Sequence, residues 1–120
     1  MRMSIQRGAV ILAPFPHVQN AAQSSTRPLV VIQNNEGNQK GDNLIVALIS
    51  SQIYYPFLPT HYFVAARSFI GNAAGLSVDS VVKTETIMTI PKNTVQRILG
   101  HFPADAMTTI DGCLKVSLAL

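Results

Sequence analysis

Three short apolar runs constrain this chain more than any other feature of it. Residues 8–15, 29–33 and 44–49 are each too short for a buried helix, and each is closed by a proline or a turn signal. Pro14 and Pro16 end the first, the polar cluster at 34–42 follows the second, and Ser50 and Ser51 end the third. Such runs read as buried strands. Residues 61–67 read as a shorter strand, and residues 80–90 alternate as a longer one stopped by Pro91. Residues 17–26 lack periodicity and form a loop long enough to be functional. Residues 54–60, with Pro56 and Pro59, make a second loop, and residues 71–75 make a small-residue turn. The spacing predicts one or two helical turns over 93–99, with Gly100 as C-cap. Pro103 opens a last helix, Asp105 sits where the dipole favours negative charge, and Met107, Ile110, Leu114 and Leu118 form its apolar face. Strands that follow one another in this way favour a mainly β domain over residues 1–120. The expected form is a partly closed antiparallel β-barrel, with the C-terminal α-helix covering an open side or an edge.

Length and composition narrow the function. A chain of 120 residues buries only a modest core, so a partner subunit can matter to its stability. With 48 % hydrophobic and 12 % charged residues it is too apolar to be disordered and favours an oligomer that hides an apolar patch. A net charge of +3 is a weak pull toward polyanions. Cys113 is the only cysteine, which excludes an internal disulfide and a thiolate metal cluster and suits a reducing compartment. No two histidines have metal-site spacing, so neither a metal nor another cofactor is expected. The apolar stretch 10–13 is closed at once by Pro14 and does not read as a signal peptide. No run approaches the roughly 20 apolar residues of a membrane span, and the cytoplasm is the expected location.

Several residues bear chemistry, each with a plainer reading beside it. Arg27 stands between a polar loop and a stiff strand, where it can hold a phosphate or be an ordinary surface arginine. Ser50 and Ser51 can bond phosphate or close a turn by hydroxyl–backbone bonds. Lys83 and Glu85 are two apart on one strand and share a face, as a cation and carboxylate serving one phosphate or as a solvated pair worth little. His17, at the mouth of the first loop, titrates near neutrality and is a base or a polar loop residue. Tyr54, with Tyr55 and Phe57, can stack on bases or pack the second loop on itself. Cys113 reads as a small apolar helix residue.

The order of the segments resembles the MazF/PemK/Kid family of toxin endoribonucleases. Arg7-Gly8-Ala9-Val10-Ile11-Leu12 with Pro14-Phe15-Pro16 resembles its opening strand, and Gln23-Ser24-Ser25-Thr26-Arg27-Pro28 its first loop and second strand. Ile45-Val46-Ala47-Leu48-Ile49-Ser50-Ser51 resembles its third strand, in which Ser50 takes the place of the family's threonine. Gly75-Leu76-Ser77-Val78-Asp79-Ser80-Val81-Val82, Thr89-Ile90-Pro91-Lys92 and Ile98-Leu99-Gly100 follow in the same register. Ala21 and Ala22 stand where family members carry His and Glu, and Lys83-Thr84-Glu85 replaces an Arg-x-Asp pair. The resemblance implies an SH3-like barrel acting as a homodimer, a cognate antitoxin with an acidic tail, and metal-free cleavage of single-stranded RNA to a 2′,3′-cyclic phosphate. It implies Arg27, Ser50, Lys83 and Glu85 as catalytic residues, and Gln23, Thr26, Ser51, His17 and Tyr54 as RNA contacts. Two other readings stand beside it. One is a binding module with the same fold and dead chemistry, motivated by Ala22 and Lys83. The other is a CcdB-type gyrase poison, a type that depends on a tryptophan this chain lacks.

Overall fold

A computed structural model describes residues 4–16 and 23–120 of the chain. β1 (Ala9–Pro16) pairs with β2 (Ser24–Val31) from Val10↔Val30 to Pro16↔Ser24. β2 therefore begins five residues before the predicted start at Leu29. Ladder bonds to residues 14–16 draw Ser24–Thr26 out of the predicted loop, and pairing overrides propensity there. His17, and the rest of that loop up to residue 22, lie outside the described residues.

The turn cluster at 34–42 contains α1 (Asn35–Lys40). The Asn34 side chain caps it by accepting from the Gly37 N–H at 2.7 Å, and Lys40 bonds Glu36 at 3.1 Å one turn back. Local side-chain bonds thus hold a helix that has little intrinsic propensity. β3 (Asn43–Ser50) forms where expected, whereas β4 (His61–Val64) stops earlier than the predicted strand. A helix, α2 (Phe69–Ala74), replaces the predicted small-residue turn; Ser68 Oγ accepts from the Gly71 N–H at 3.0 Å and Gly75 closes it at φ +73°. β5 (Ser80–Pro91) is the long strand. A 3₁₀ turn at Lys92–Thr94 and then β6 (Arg97–His101) take the place of the predicted helical turns, because β1 offers 97–101 an edge to pair with. α3 (Ala104–Leu118) starts after Pro103 as predicted.

The six strands form one antiparallel sheet in the order β4-β5-β3-β2-β1-β6, with β4 and β6 as unjoined edges. This is the expected β architecture with a C-terminal helix, left open rather than closed. On one face Val10, Val30, Ala47, Ile49 and Val82 pack with Met107, Ile110 and Leu114 of α3. Each of these side chains other than that of Ala47 contributes about 1.5–3 kcal/mol on burial. Leu118, the last predicted member of that face, is 54 % exposed, although the preceding Ser117 still donates to the Thr84 carbonyl of β5 at 2.8 Å. The other face holds a second core of Ile11, Phe15, Leu29, Val31, Leu44 and Val46. Cys113 is buried, with its thiol against the His61 carbonyl. No helix of the described residues is long and apolar enough to cross a membrane.

Candidate active site

The β2–β3 ladder ends at Leu29↔Leu48, and Arg27 and Ser50 lie two residues beyond that pair on their strands. Across β5 and β4 the register continues as Leu48↔Lys83↔His61 and Ser50↔Val81↔Phe63. Alternation therefore sets Arg27, Ser50, Lys83, His61 and Phe63 on the face turned away from α3. At about 3.3 Å per residue and 4.8 Å between strands, Lys83 lies roughly 12 Å from Arg27 by Cα, within joint reach of two long side chains, and Glu85 roughly 16 Å. One protomer thus brings Arg27, Ser50 and Lys83 together and leaves Glu85 out.

A groove of about 510 Å³ opens at the same end of the sheet. Its walls are Thr26, Arg27 and Pro28 of β2, Ser51, the turn carrying Ser77, and Arg97 and Leu99 of β6. Gln96 Nε2 donates to Thr26 Oγ1 at 3.3 Å and ties β6 to β2. Among the described residues the lining includes Arg27 and Arg97 and no carboxylate. Neither arginine side chain has an ion pair or hydrogen bond among the described residues. Ser50 is 4 % exposed and its hydroxyl accepts from the Gln52 N–H at 3.1 Å, so it closes the strand end while Ser51 faces the groove. Gln23 is exposed just before β2. Tyr54 is 69 % exposed on the second loop, where Tyr55, Phe57 and Phe63 form ring contacts at 4.7 and 5.8 Å.

Glu85 is committed elsewhere. Thr60 Oγ1 donates to its Oε1 at 3.0 Å and His61 Nε2 lies 2.8 Å from its Oε2. The Leu58 N–H donates to His61 Nδ1 at 3.2 Å, which leaves the proton of the neutral ring on Nε2, aimed at Glu85. Burial opposes ionisation of Glu85, yet the bonds from His61, its own backbone N–H and Thr60 outweigh it and hold the carboxyl below its ordinary value. A depressed carboxyl adds stability above its unfolded value and loses it as pH falls through the folded one. Glu85→Gln should therefore lower the Tm at neutral pH, and the gap to wild type should close in the acid range. Calorimetry at a series of pH values checks this, and a gap that stays constant with pH would refute it.

The sequence alone does not reveal Arg97 or Ser77 as groove residues, nor His61 and Thr60 as partners of Glu85, since each partnership joins residues far apart in the chain. Among the described residues no three His, Cys, Asp or Glu side chains gather as a metal site requires.

Comparison with known proteins agrees with this geometry. The family described as PemK-like, MazF-like toxin of type II toxin–antitoxin system matches residues 6–118. Endoribonuclease EndoA of Bacillus subtilis (strain 168) is 36 % identical over 118 residues, covering 98 % of this chain and 97 % of that protein. Among solved structures, a mycobacterial endoribonuclease in complex with its cognate antitoxin is similar at a TM-score of 0.75 and 17 % identity, covering 97 % of this chain and 96 % of that one. A MazE–MazF structure from Deinococcus radiodurans is similar at a TM-score of 0.73 and 18 % identity, covering 98 % and 99 %. The chain belongs to the PemK-like, MazF-like toxins of type II toxin–antitoxin systems.

Proposed function

We propose that this toxin is a metal-independent endoribonuclease that cuts single-stranded RNA, works as a cytoplasmic homodimer and is silenced by a cognate antitoxin. The observation that carries the proposal is the face turned away from α3, where Arg27, Ser50 and Lys83 come together at one end of the sheet and Arg27 has no ion pair among the described residues. A 36 % identical relative named endoribonuclease supports it, as do similar structures solved with antitoxins.

In the reaction a base removes the 2′-hydroxyl proton and the 2′-oxygen attacks the adjacent phosphorus. The bond from phosphorus to the 5′-oxygen then breaks, and an acid protonates that leaving oxygen. The products are a 2′,3′-cyclic phosphate and a 5′-hydroxyl. Arg27 binds the scissile phosphate and stabilises the added charge of the phosphorane, with Lys83 reaching in from the same face. Ser50 fixes the strand end beside them. Thr26, Ser51, Gln23 and Tyr54 contact the flanking nucleotides. Glu85, tied to His61 and Thr60, steadies the second loop rather than the phosphate bound by Arg27.

Single-stranded RNA should be cleaved in EDTA, and the product should carry a cyclic phosphate detectable by mass. A 2′-deoxy nucleotide at the cut position should block cleavage, because the nucleophile is gone. Loss of activity in chelator, restored by Mg²⁺ or Mn²⁺, would overturn the metal-free mechanism. RNA binding without cleavage would favour the inactive binding module.

A further inference from the structure

We infer that His61 and Thr60 are positioning residues, which hold the Glu85 carboxylate away from Lys83 and so leave Lys83 free for an RNA phosphate. The inference rests on the reading of Lys83 as a phosphate contact of the endoribonuclease. Position along the strand favours the opposite arrangement. Lys83 and Glu85 lie two apart on β5 and share the face turned away from α3, roughly 7 Å from each other by Cα, close enough for an ammonium and a carboxylate to meet. Glu85 has the freedom to turn that way, since its side chain is 38 % exposed. Yet Lys83 has no ion pair or hydrogen bond among the described residues.

The carboxylate is held on both oxygens where the second loop enters β4. Thr60 Oγ1 takes one and His61 Nε2 the other, and His61 is the residue directly across from Lys83 in the β4–β5 ladder. The holders are fixed in their turn. The Thr60 carbonyl accepts from the Thr84 N–H at 3.1 Å and from the Thr84 hydroxyl at 2.8 Å. Phe57 meets the His61 ring edge-on, with centroids 6.5 Å apart. Two directed bonds from fixed donors prevail over an exposed ion pair, which gains little and immobilises a long lysine chain.

Both donors are uncharged. Thr60 offers a hydroxyl, and the Leu58 N–H fixes the His61 proton on Nε2 without making the ring a cation. The cluster therefore ties up one negative charge and uses no positive one. A Lys83–Glu85 pair would carry no net charge and would have to break before a phosphate could bind. Bonds that merely steady the second loop would serve with any acceptor at position 85, a glutamine included. Only a charge on Glu85 competes for Lys83.

The test follows the affinity of a fluorescent 2′-O-methyl RNA nonamer, which lacks the nucleophile and stays intact, by anisotropy between about 50 and 200 mM salt. Lys83→Gln should bind more weakly, with a log–log salt slope shallower by ~0.7, the share of one single-strand phosphate contact. His61→Phe keeps a ring against Phe57 and frees Glu85. It should bind about three- to fivefold more weakly at low salt, the scale of an exposed ion pair, with its slope moved toward that of Lys83→Gln. Thr60→Val, which deletes one bond and keeps the shape, should fall between it and wild type. Adding Glu85→Gln to His61→Phe should restore wild-type affinity and slope, although the double variant lacks the same ring bonds. His61→Phe and Thr60→Val proteins that bind as wild type does would overturn the inference. So would a loss that persists in the double variant, which would mark a loop displaced rather than a lysine neutralised. Lys83→Gln binding as tightly as wild type would refute the reading of Lys83 and this inference together, while a weakened Lys83→Gln beside an unaffected His61→Phe refutes this inference alone.

Discussion

Arg27→Ala should lower the rate of RNA cleavage by about 10²–10³ and leave the fold intact, because the phosphorane carries one more negative charge than the bound phosphate and a fixed cation therefore favours the transition state. The fixing comes from the strand. Arg27 pairs with Ala13 on β1, while on its other side the ladder to β3 has already stopped. Its main chain is thus held and its side chain is left without an ion pair among the described residues. The core beneath is supplied by Leu29 and Val31, so truncation at Arg27 opens no cavity. Arg27→Lys should restore activity only in part, since an ammonium cannot grip phosphate with two parallel bonds. Single-turnover kinetics beside a thermal melt separates the two effects. Cleavage by Arg27→Ala within about threefold of wild type, against the usual cost of losing one preorganised donor, would show that the groove is not the site of chemistry.

The largest effect on stability should come from Gly75→Ala. Gly75 closes α2 at φ +73°, and a Cβ there would sit 2.2 Å from the Leu99 carbonyl oxygen and 2.7 Å from its carbon. Left-handed strain and overpacking against backbone act together, with a combined cost of about 3–5 kcal/mol. That corresponds to a fall in Tm of roughly 12–20 °C for a domain of this size. Gly112→Ala should do the opposite. Gly112 lies inside α3 with nothing within 4 Å of its Cβ position, so alanine should gain about 0.5–1 kcal/mol from helix propensity. Thermal melts of the two variants side by side decide the matter, and a Gly75→Ala protein that melts with wild type would contradict the packing described.

Continuous apolar runs made β1 and β3 legible in the sequence, and the alternation in 80–90 did the same for β5. Spacing on a helical face located α3. The two six-residue helices were hidden because side-chain caps at Asn34 and Ser68, rather than periodicity, hold them. β6 was misread for a related reason. Gly100 resembles a helix C-cap in isolation, but its role is to let the Ala73 carbonyl approach, and its strand exists because β1 lies beside it. The resemblance of short motifs supplied Arg27, Thr26 and Ser51, which the structure gathers in one groove. Arg97 escaped because it enters the groove lining through the pairing of β6 with Leu12 of β1, and no local pattern encodes that. The sequence pairs Glu85 with Lys83, two residues away on the same strand, and its bond to His61 is not legible there because His61 lies 24 residues away in the chain.

The pairing of β1 with β6 joins Ala9 to His101, and the walls of the groove are drawn from residues as distant as Leu12 and Leu99. No shorter product of synthesis carries the complete groove. At ordinary translation rates the ribosome needs roughly 5–20 s to pass from one wall to the other, and closing so remote a pairing belongs to the slow class of folding events. Every new molecule therefore passes through an interval in which the groove does not yet exist, and that interval ends when the sheet gains its sixth strand.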